Sequence, residues 1–214
     1  MTAKFAAEAP KDCDLCPRLR QFILDQRDKQ PDWFNGAVPS FGDDDAELLV
    51  IGLAPGLTGA NRTGRPFTGD WAGDLLYDTL QKFDFTDGVY DRRPDDGLRL
   101  KRAMITNAVR CVPPQNKPVG AEINQCRPFL NARIEALKQV KVLLCLGKIS
   151  HDSTIRTLGA RLKDHPFGHA SEYTIGDLTV LSSYHCSRYN TNTGRLTADM
   201  FDQVFARAKA LIDA

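Results

Sequence analysis

Apolar positions in this chain gather into short continuous runs, separated by stretches with helical spacing. Glu47 to Gly52 is such a run, closed by the sharp turn signal Gly52-Leu53-Ala54-Pro55-Gly56. It predicts a buried strand ending in a loop. The loop runs on through Gly59, Gly64 and Gly69, and a helix is predicted from about Asp70 to Phe83, with Leu75, Leu76, Thr79 and Leu80 at helical spacing. A charged insert, Asp87 to Arg102, separates it from a second predicted strand, Ala103 to Val109. After the prolines at 113, 114 and 118, Ala121 to Gln139 has helical periodicity. Val140 to Leu146 predicts a third strand, with a helix starting near Lys148, and Leu178 to Tyr184 a fourth. Asn190 to Gly194 reads as a polar, turn-rich loop, and Thr197 can cap a last helix from Ala198 to Ile212.

Strands alternating with helices predict an α/β fold: a mostly parallel sheet with helices on both faces. There are no repeats, no low-complexity segment and no convincing linker, so residues 1–214 are expected to form a single domain. In such sheets ligands bind beyond the carboxyl ends of the strands. The loops after Ile51, Thr106 and Tyr184 are therefore expected to line one pocket.

Composition narrows the function classes. The chain has 214 residues and is 42% hydrophobic and 26% charged, with a net charge of +1. No global basic field marks a polyanionic partner, so any nucleic-acid binding must rest on a local basic face. Residues 1–10 lack the apolar core of a secretion signal, and no apolar run approaches the roughly 20 residues of a membrane span. These readings predict a monomer of the cytoplasm, associated with the nucleoid if it acts on DNA, and no membrane contact.

Six cysteines are unlikely to be three disulfides in a reducing compartment. Cys13 and Cys16 form a C-x-x-C pair, and Cys111 and Cys126 follow with fourteen residues between them. Each of the four is expected in a loop. Four thiolates suit zinc and an iron–sulfur cluster equally well by spacing alone; unrelated core cysteines are the bland alternative. Cys145, inside Val142-Leu143-Leu144-Cys145-Leu146, reads as a small core hydrophobe.

Three loop segments carry candidate chemistry. In Asn61-Arg62-Thr63-Gly64-Arg65-Pro66-Phe67-Thr68-Gly69-Asp70, glycines allow close backbone approach, Phe67 can stack on a planar base, and Arg62 and Arg65 can reach phosphates. A glycine-rich turn with Phe67 in the core is the alternative. No Gly-Lys-Ser/Thr closes the loop, so it is not a P-loop. Asn107 ends an apolar strand and is either a ligand-reading amide or a backbone cap. His185, after the fourth strand, is a candidate electrophile or acid–base group. Its neighbour Cys186 should point to the opposite side of the extended chain, which disfavours a nucleophilic Cys–His pair.

Together these segments resemble the motifs of the family 5 uracil-DNA glycosylases. Gly-Leu-Ala-Pro-Gly with Asn-Arg-Thr-Gly-Arg-Pro-Phe-Thr-Gly-Asp is similar to their first motif, and Thr106 to Cys111 to the strand with the base-reading Asn and a cluster cysteine. His185-Cys186-Ser187 with Asn190-Thr191-Asn192-Thr193-Gly194-Arg195-Leu196-Thr197 is similar to their second motif and minor-groove loop. The resemblance spans roughly Cys13 to Phe205. It implies a three-layer fold around a parallel four-stranded sheet, a 4Fe-4S cluster on Cys13, Cys16, Cys111 and Cys126 with a structural role, and excision of uracil and other deaminated bases from DNA. Leu53 and Ala54 stand where family 4 has a Glu; Cys186 departs from the Pro that often follows the motif His.

The resemblance implies roles for individual residues. Gly52, Ala54, Phe67, Asn107 and His185 would surround the flipped base, with Phe67 stacking, Asn107 reading the edge and His185 stabilising the charge on O2. Arg62, Arg65, Ser187, Arg188, Asn190 and Arg195 would hold the DNA. Asn61 is preferred over Asp70 to position the water. Hypoxanthine, xanthine and ethenocytosine are expected further substrates. Two competing classes remain: a non-enzymatic nucleic-acid-binding protein using the basic run Arg99-Leu100-Lys101-Arg102, and a small-molecule α/β hydrolase using His185.

Overall fold

The computed structural model of the chain describes residues 5–214; Met1 to Lys4, the start of the stretch read for a leader, lie outside the described residues. In chain order the elements are α1 (Pro17–Lys29), β1 (Phe41–Gly42), β2 (Leu48–Gly52), α2 (Ala60–Thr63), α3 (Trp71–Lys82), β3 (Thr86–Asp87), β4 (Arg99–Leu100), β5 (Ala103–Asn107), α4 (Gly120–Ala136), β6 (Val142–Leu146), α5 (Lys148–Thr157), β7 (Glu172–Ile175), β8 (Leu178–Ser183), α6 (Arg188–Asn192) and α7 (Ala198–Asp213).

Six strands form one sheet in the order β1-β5-β2-β6-β8-β7. The inner four, β5, β2, β6 and β8, are parallel. They are the four strands expected from the apolar runs. Two strands that the pattern did not reveal, β1 and β7, extend the sheet by antiparallel pairing at its edges. Every residue of β2, β5 and β6 is buried. That is why these strands read as continuous apolar runs rather than alternating ones: both faces of a parallel sheet are covered. One face packs Val50, Ile105, Leu144 and Leu181 against Leu76 and Leu80 of α3 and Phe201, Val204 and Phe205 of α7. The other packs Leu49, Ile51, Leu143 and Val180 against Leu130 and Ile134 of α4 and Ile155 of α5. Cys145 lies in this second core, as expected of a small hydrophobe.

Helix ends follow the local chemistry. Asp70 caps α3 by accepting from Gly73 N, and Thr197 caps α7 by accepting from Met200 N. The turn-rich reading of residues 190–194 was too pessimistic. Ser187 Oγ accepts from Asn190 N and starts the short helix α6, which the polar composition had hidden.

The charged insert is not an open loop. Its ends pair as the β3–β4 ribbon, and its middle delivers Asp96 to Arg65. The guanidinium makes two parallel bonds to the carboxylate, each 2.7 Å, and both side chains are buried. The Arg65 guanidinium also lies over the rings of Phe41, Tyr77 and Tyr90. The ion pair holds Asp96 well below the usual carboxylate range against the opposing effect of burial. Arg65, expected to reach DNA phosphate, is instead an internal strut; a buried guanidinium is stable only when paired. Removing one partner of such a pair costs about 3–5 kcal/mol. Arg65→Met and Asp96→Ala are each expected to lower the urea unfolding free energy by that order, with the double variant losing less than the sum. Unfolding midpoints equal to wild type would refute this.

Candidate active site

Because β5, β2, β6 and β8 run the same way, their carboxyl ends at Asn107, Gly52, Leu146 and Ser183 share one edge of the sheet. The winding reverses at β2, whose neighbours β5 and β6 lie on opposite sides of it. Ligands bind at such a reversal. A cavity of about 380 Å³ opens there, walled by Leu53 to Gly56 and Ala60 on one side and by His185, Ser187 and Arg188 on the other.

Its floor is set by a close approach. A methyl group on Gly52 would fall 2.7 Å from Phe67 Cζ and closer still to Asn107 Oδ1. Only glycine lets the amide and the ring meet there. Phe67 itself has φ +53, a conformation disfavoured for a side-chain-bearing residue. The surroundings impose it: the Tyr90 hydroxyl donates to the Phe67 carbonyl at 3.2 Å, and the carbonyl presses on Gly73, which has no side chain in the way. Phe67 is buried, yet its ring lines the cavity, so the core alternative and the stacking alternative are two faces of one placement.

Asn107 is almost wholly buried and lines the cavity, and its Oδ1 has no hydrogen-bond partner. An orphaned buried acceptor costs about 1–3 kcal/mol. A backbone-capping amide would have spent that acceptor on the protein. Asn107 therefore spends no acceptor on the backbone, and its side chain lies in the cavity wall beside Gly52 and Phe67.

His185 stands near-parallel to Phe67, ring centroids 5.9 Å apart at 25°. Burial lowers its pKa to about 4, with no protein charge or hydrogen bond opposing that shift. The ring is therefore neutral at neutral pH. Cys186 points the other way, fully buried with Sγ donating to the Ala72 carbonyl. Burial pushes its thiol pKa up, which removes it as a nucleophile.

Asp70 also lines the cavity. Its carboxylate is seated against Gly56 and Gly59, where side chains would collide with Oδ2. Burial raises its pKa above the ordinary carboxylate value, against the bonds from the Gly73 and Ala72 backbone N–H groups.

Several expected site residues lie elsewhere. Asn61 is fully buried outside the cavity wall, and its Nδ2 donates to Asn35 Oδ1 at 2.8 Å. Its Oδ1, like that of Asn107, has no hydrogen-bond partner. Asn190 braces His185 from behind, Nδ2 donating to the His185 carbonyl at 2.8 Å, and the Arg195 guanidinium lies 4.6 Å from the Tyr184 ring centroid. Arg62 turns away into a separate groove. The basic run is largely spent: Lys101 pairs with Asp84 and Asp87, and Arg102 with Glu47 and Asp213.

Other residues were not singled out from sequence. Trp71, half exposed at the rim, donates from Nε1 to Thr191 Oγ1 at 3.1 Å and faces the Arg188 guanidinium. Tyr189, 72% exposed, is the most open large apolar side chain described. Asn116 reaches the cavity from a turn in which it and Gln115 both have φ +56. The prolines at 113 and 114 marked that turn but not its direction.

The four cysteines of the C-x-x-C and C-x14-C pattern line one cleft with Leu19, Val109 and Phe129. None of the four is in a disulfide. Cys13, Cys16 and Cys111 lie outside the helices and strands, Cys16 as the residue that precedes α1, whereas Cys126 lies inside α4; the third core cluster gathers them. The Arg110 backbone N–H donates to Cys126 Sγ at 3.2 Å. Burial pushes the Cys126 thiol up to about 11 against that bond and the nearby Arg110 charge. Among the described residues no three His, Cys, Asp or Glu side chains form a group that can hold a single metal ion.

A buried, partly apolar cavity with one unpaired amide, one neutral imidazole and one carboxylate, at the switch point of a parallel sheet, defines an α/β enzyme acting on a flat polar ring. The uracil DNA glycosylase superfamily model matches residues 39–209. A type-5 uracil-DNA glycosylase of Thermus thermophilus is 42% identical over 206 residues, 93% of each chain. Type-5 uracil-DNA glycosylases of Mycobacterium bovis and Pyrobaculum aerophilum are 39% and 34% identical, over 93% of this chain and 78% and 88% of theirs. The chain belongs to the uracil-DNA glycosylase superfamily, within its type-5 branch, and is accordingly a monofunctional glycosylase, a hydrolase.

Proposed function

We propose that this enzyme hydrolyses the N-glycosidic bond of uracil, and of other deaminated bases, after flipping the nucleotide out of DNA into the cavity behind Phe67. The observation that carries the reading is the partnerless Asn107 Oδ1. Uracil offers an N3–H for that acceptor and an O4 for the amide N–H; cytosine presents the reverse pattern at both positions. The base stacks on Phe67, a contact worth about 1–3 kcal/mol. The extruded base leaves a gap that Arg188 and the exposed Tyr189 are positioned to fill, with Ser187 and Arg188 near the phosphates.

As the C1′–N1 bond breaks, its electron pair leaves with the base and the charge spreads to O2. A neutral His185 N–H donating to O2 stabilises that anion by a few kcal/mol. Neutrality suits this role, because the donor then keeps its proton. Water then bonds to C1′ of the sugar cation and gives its proton to Asp70, which replaces Asn61 as the group that holds it: its carboxylate lines the cavity, and Asn61 does not. With Leu53 and Ala54 offering no carboxylate, the cavity has room for hypoxanthine, xanthine or ethenocytosine. The enzyme would act where its DNA lies, at the nucleoid.

We further propose that Cys13, Cys16, Cys111 and Cys126 hold a 4Fe-4S cluster. Four thiols that share one cleft supply a complete set of cysteine ligands; zinc takes the same set, and the resemblance to the family 5 motifs is what favours iron. The chemistry it supplies is a crosslink with no open coordination position, tying the segment before α1 to α4 and to the chain leaving β5. The Arg110 backbone N–H at Cys126 is the kind of outer bond that steadies a ligating sulfur.

Incubation with a uracil-containing duplex followed by alkali is expected to cleave the strand at the uracil. Asn107→Ala should lose discrimination against cytosine; a variant as selective as wild type would remove Asn107 from base reading. Asp70→Asn keeps a good helix cap but removes the charge. The carboxylate form is the active one and its pKa is raised. Wild-type single-turnover excision should therefore fall on acidification, with the fall displaced upward from that of an ordinary Asp. The variant should be slow at every pH, without that limb, and an unchanged profile would refute the role. Purified protein should be brown, with broad absorbance near roughly 400 nm from thiolate-to-iron charge transfer. A colourless, zinc-containing protein would overturn the cluster assignment.

A further inference from the structure

Helix α2 has a second face. Ala60 lines the catalytic cavity, whereas Arg62 and Thr63 open into a separate groove of about 540 Å³. Lys11, Trp33, Phe34, Arg92 and Arg93 complete its basic and aromatic lining, with Asp32 the only carboxylate. The Lys11 ammonium sits 4.6 Å from the Phe34 ring centroid. Neither Lys11 nor Arg62 has a carboxylate partner among the described residues. Arg92 and Arg93 pair with Asp74 and Asp91, but these pairs lie at the surface, where such contacts are weak and readily exchanged. Arg92 is held at φ +57, so the segment that presents both arginines is shaped rather than loose.

The groove is bolted to the catalytic wall. Phe34 N and Asn35 N donate to the carbonyls of Arg62 and Asn61, each at 3.0 Å. Asn61 joins the two from inside through Asn35 Oδ1, and Gly64 packs directly on Phe34. Cavity and groove therefore share one short element, the single turn of α2 and the backbone bonds that hold residues 34 and 35 to it.

We propose that this groove binds single-stranded DNA flanking the excised nucleotide; the assignment of DNA as substrate rests on the function proposed above. Cations alone would suit any phosphate backbone. Half-buried Trp33, set among them beside the Lys11-covered ring of Phe34, suits unpaired bases, whose faces are available for stacking only outside a duplex. The insert that carries Arg92 and Arg93 thus serves two purposes: Asp96 braces the catalytic loop from inside, and the arginines extend the DNA track outside.

The test uses the whole chain and a uracil-free oligothymidylate, so its readout does not depend on excision. Trp33→Ala is expected to weaken binding about tenfold, within the range of a lost base stack. Arg93→Glu, fully at the surface, is expected to weaken it comparably and to reduce the slope of log K against log salt by about 0.7 or more. On uracil-containing single strands both variants should need more DNA to saturate, while their saturated single-turnover rate stays at wild type. An oligonucleotide too short to reach from cavity to groove should not distinguish them. Wild-type affinity and salt slope in both variants, with uracil still excised, would overturn the groove alone. Oligothymidylate binding that depends on Trp33, with uracil left in place, would sustain the groove and overturn the glycosylase reading instead.

Discussion

The molecule turns on a point where there is no space for a side chain. At Gly52 strand β2 ends, and Asn107 from the neighbouring strand meets Phe67 from the following loop over its bare α-carbon. That contact sets the depth of the cavity and the position of the unpaired amide. Phe67 meets it with a left-handed backbone, which is held from elsewhere.

What holds it is a chain of buried polar contacts. Tyr90 donates to the Phe67 carbonyl and stacks on Tyr77, which donates to the Pro66 carbonyl at 2.7 Å. Arg65 lies over both rings and is neutralised by Asp96. Each group in this chain would be costly alone, and each is satisfied by the next. The loop therefore presents a strained ring and a desolvated carboxylate, Asp70, without collapsing. Strain at the site is offset by bonding a few ångströms away, most of it supplied by the insert. The His185 side of the cavity is supported differently, with Asn190 bonding its carbonyl and Arg195 packing on Tyr184.

Much of this was legible beforehand. Continuous apolar runs identified the four parallel strands, because strands buried on both faces carry no alternation. Turn residues at the carboxyl ends of those strands pointed to one edge of the sheet, and Asn107, Phe67 and His185 do meet there. The edge strands β1 and β7 escaped notice because two to four half-exposed residues have no periodicity to detect. Helix α6 was masked by polar residues whose hydrogen bonds, not their propensities, start it.

Charged residues were where reading along the chain misled. Arg65 and Arg62 stand three residues apart in the same loop and seemed equivalent, yet one is buried against Asp96 and the other faces a basic groove. Asn61 and Asp70 lie in one glycine-rich stretch, yet α2 turns the amide inward to Asn35 while the carboxylate lines the cavity. By itself the sequence determined the sheet, the edge at which chemistry occurs and the set of residue types gathered there, since hydrophobic period and turn chemistry are local properties. Only the tertiary structure decided which polar side chain faces solvent, cavity or core. That choice depends on partners such as Asp96 and Asn35, brought close by folding from positions that give no local sign of the pairing.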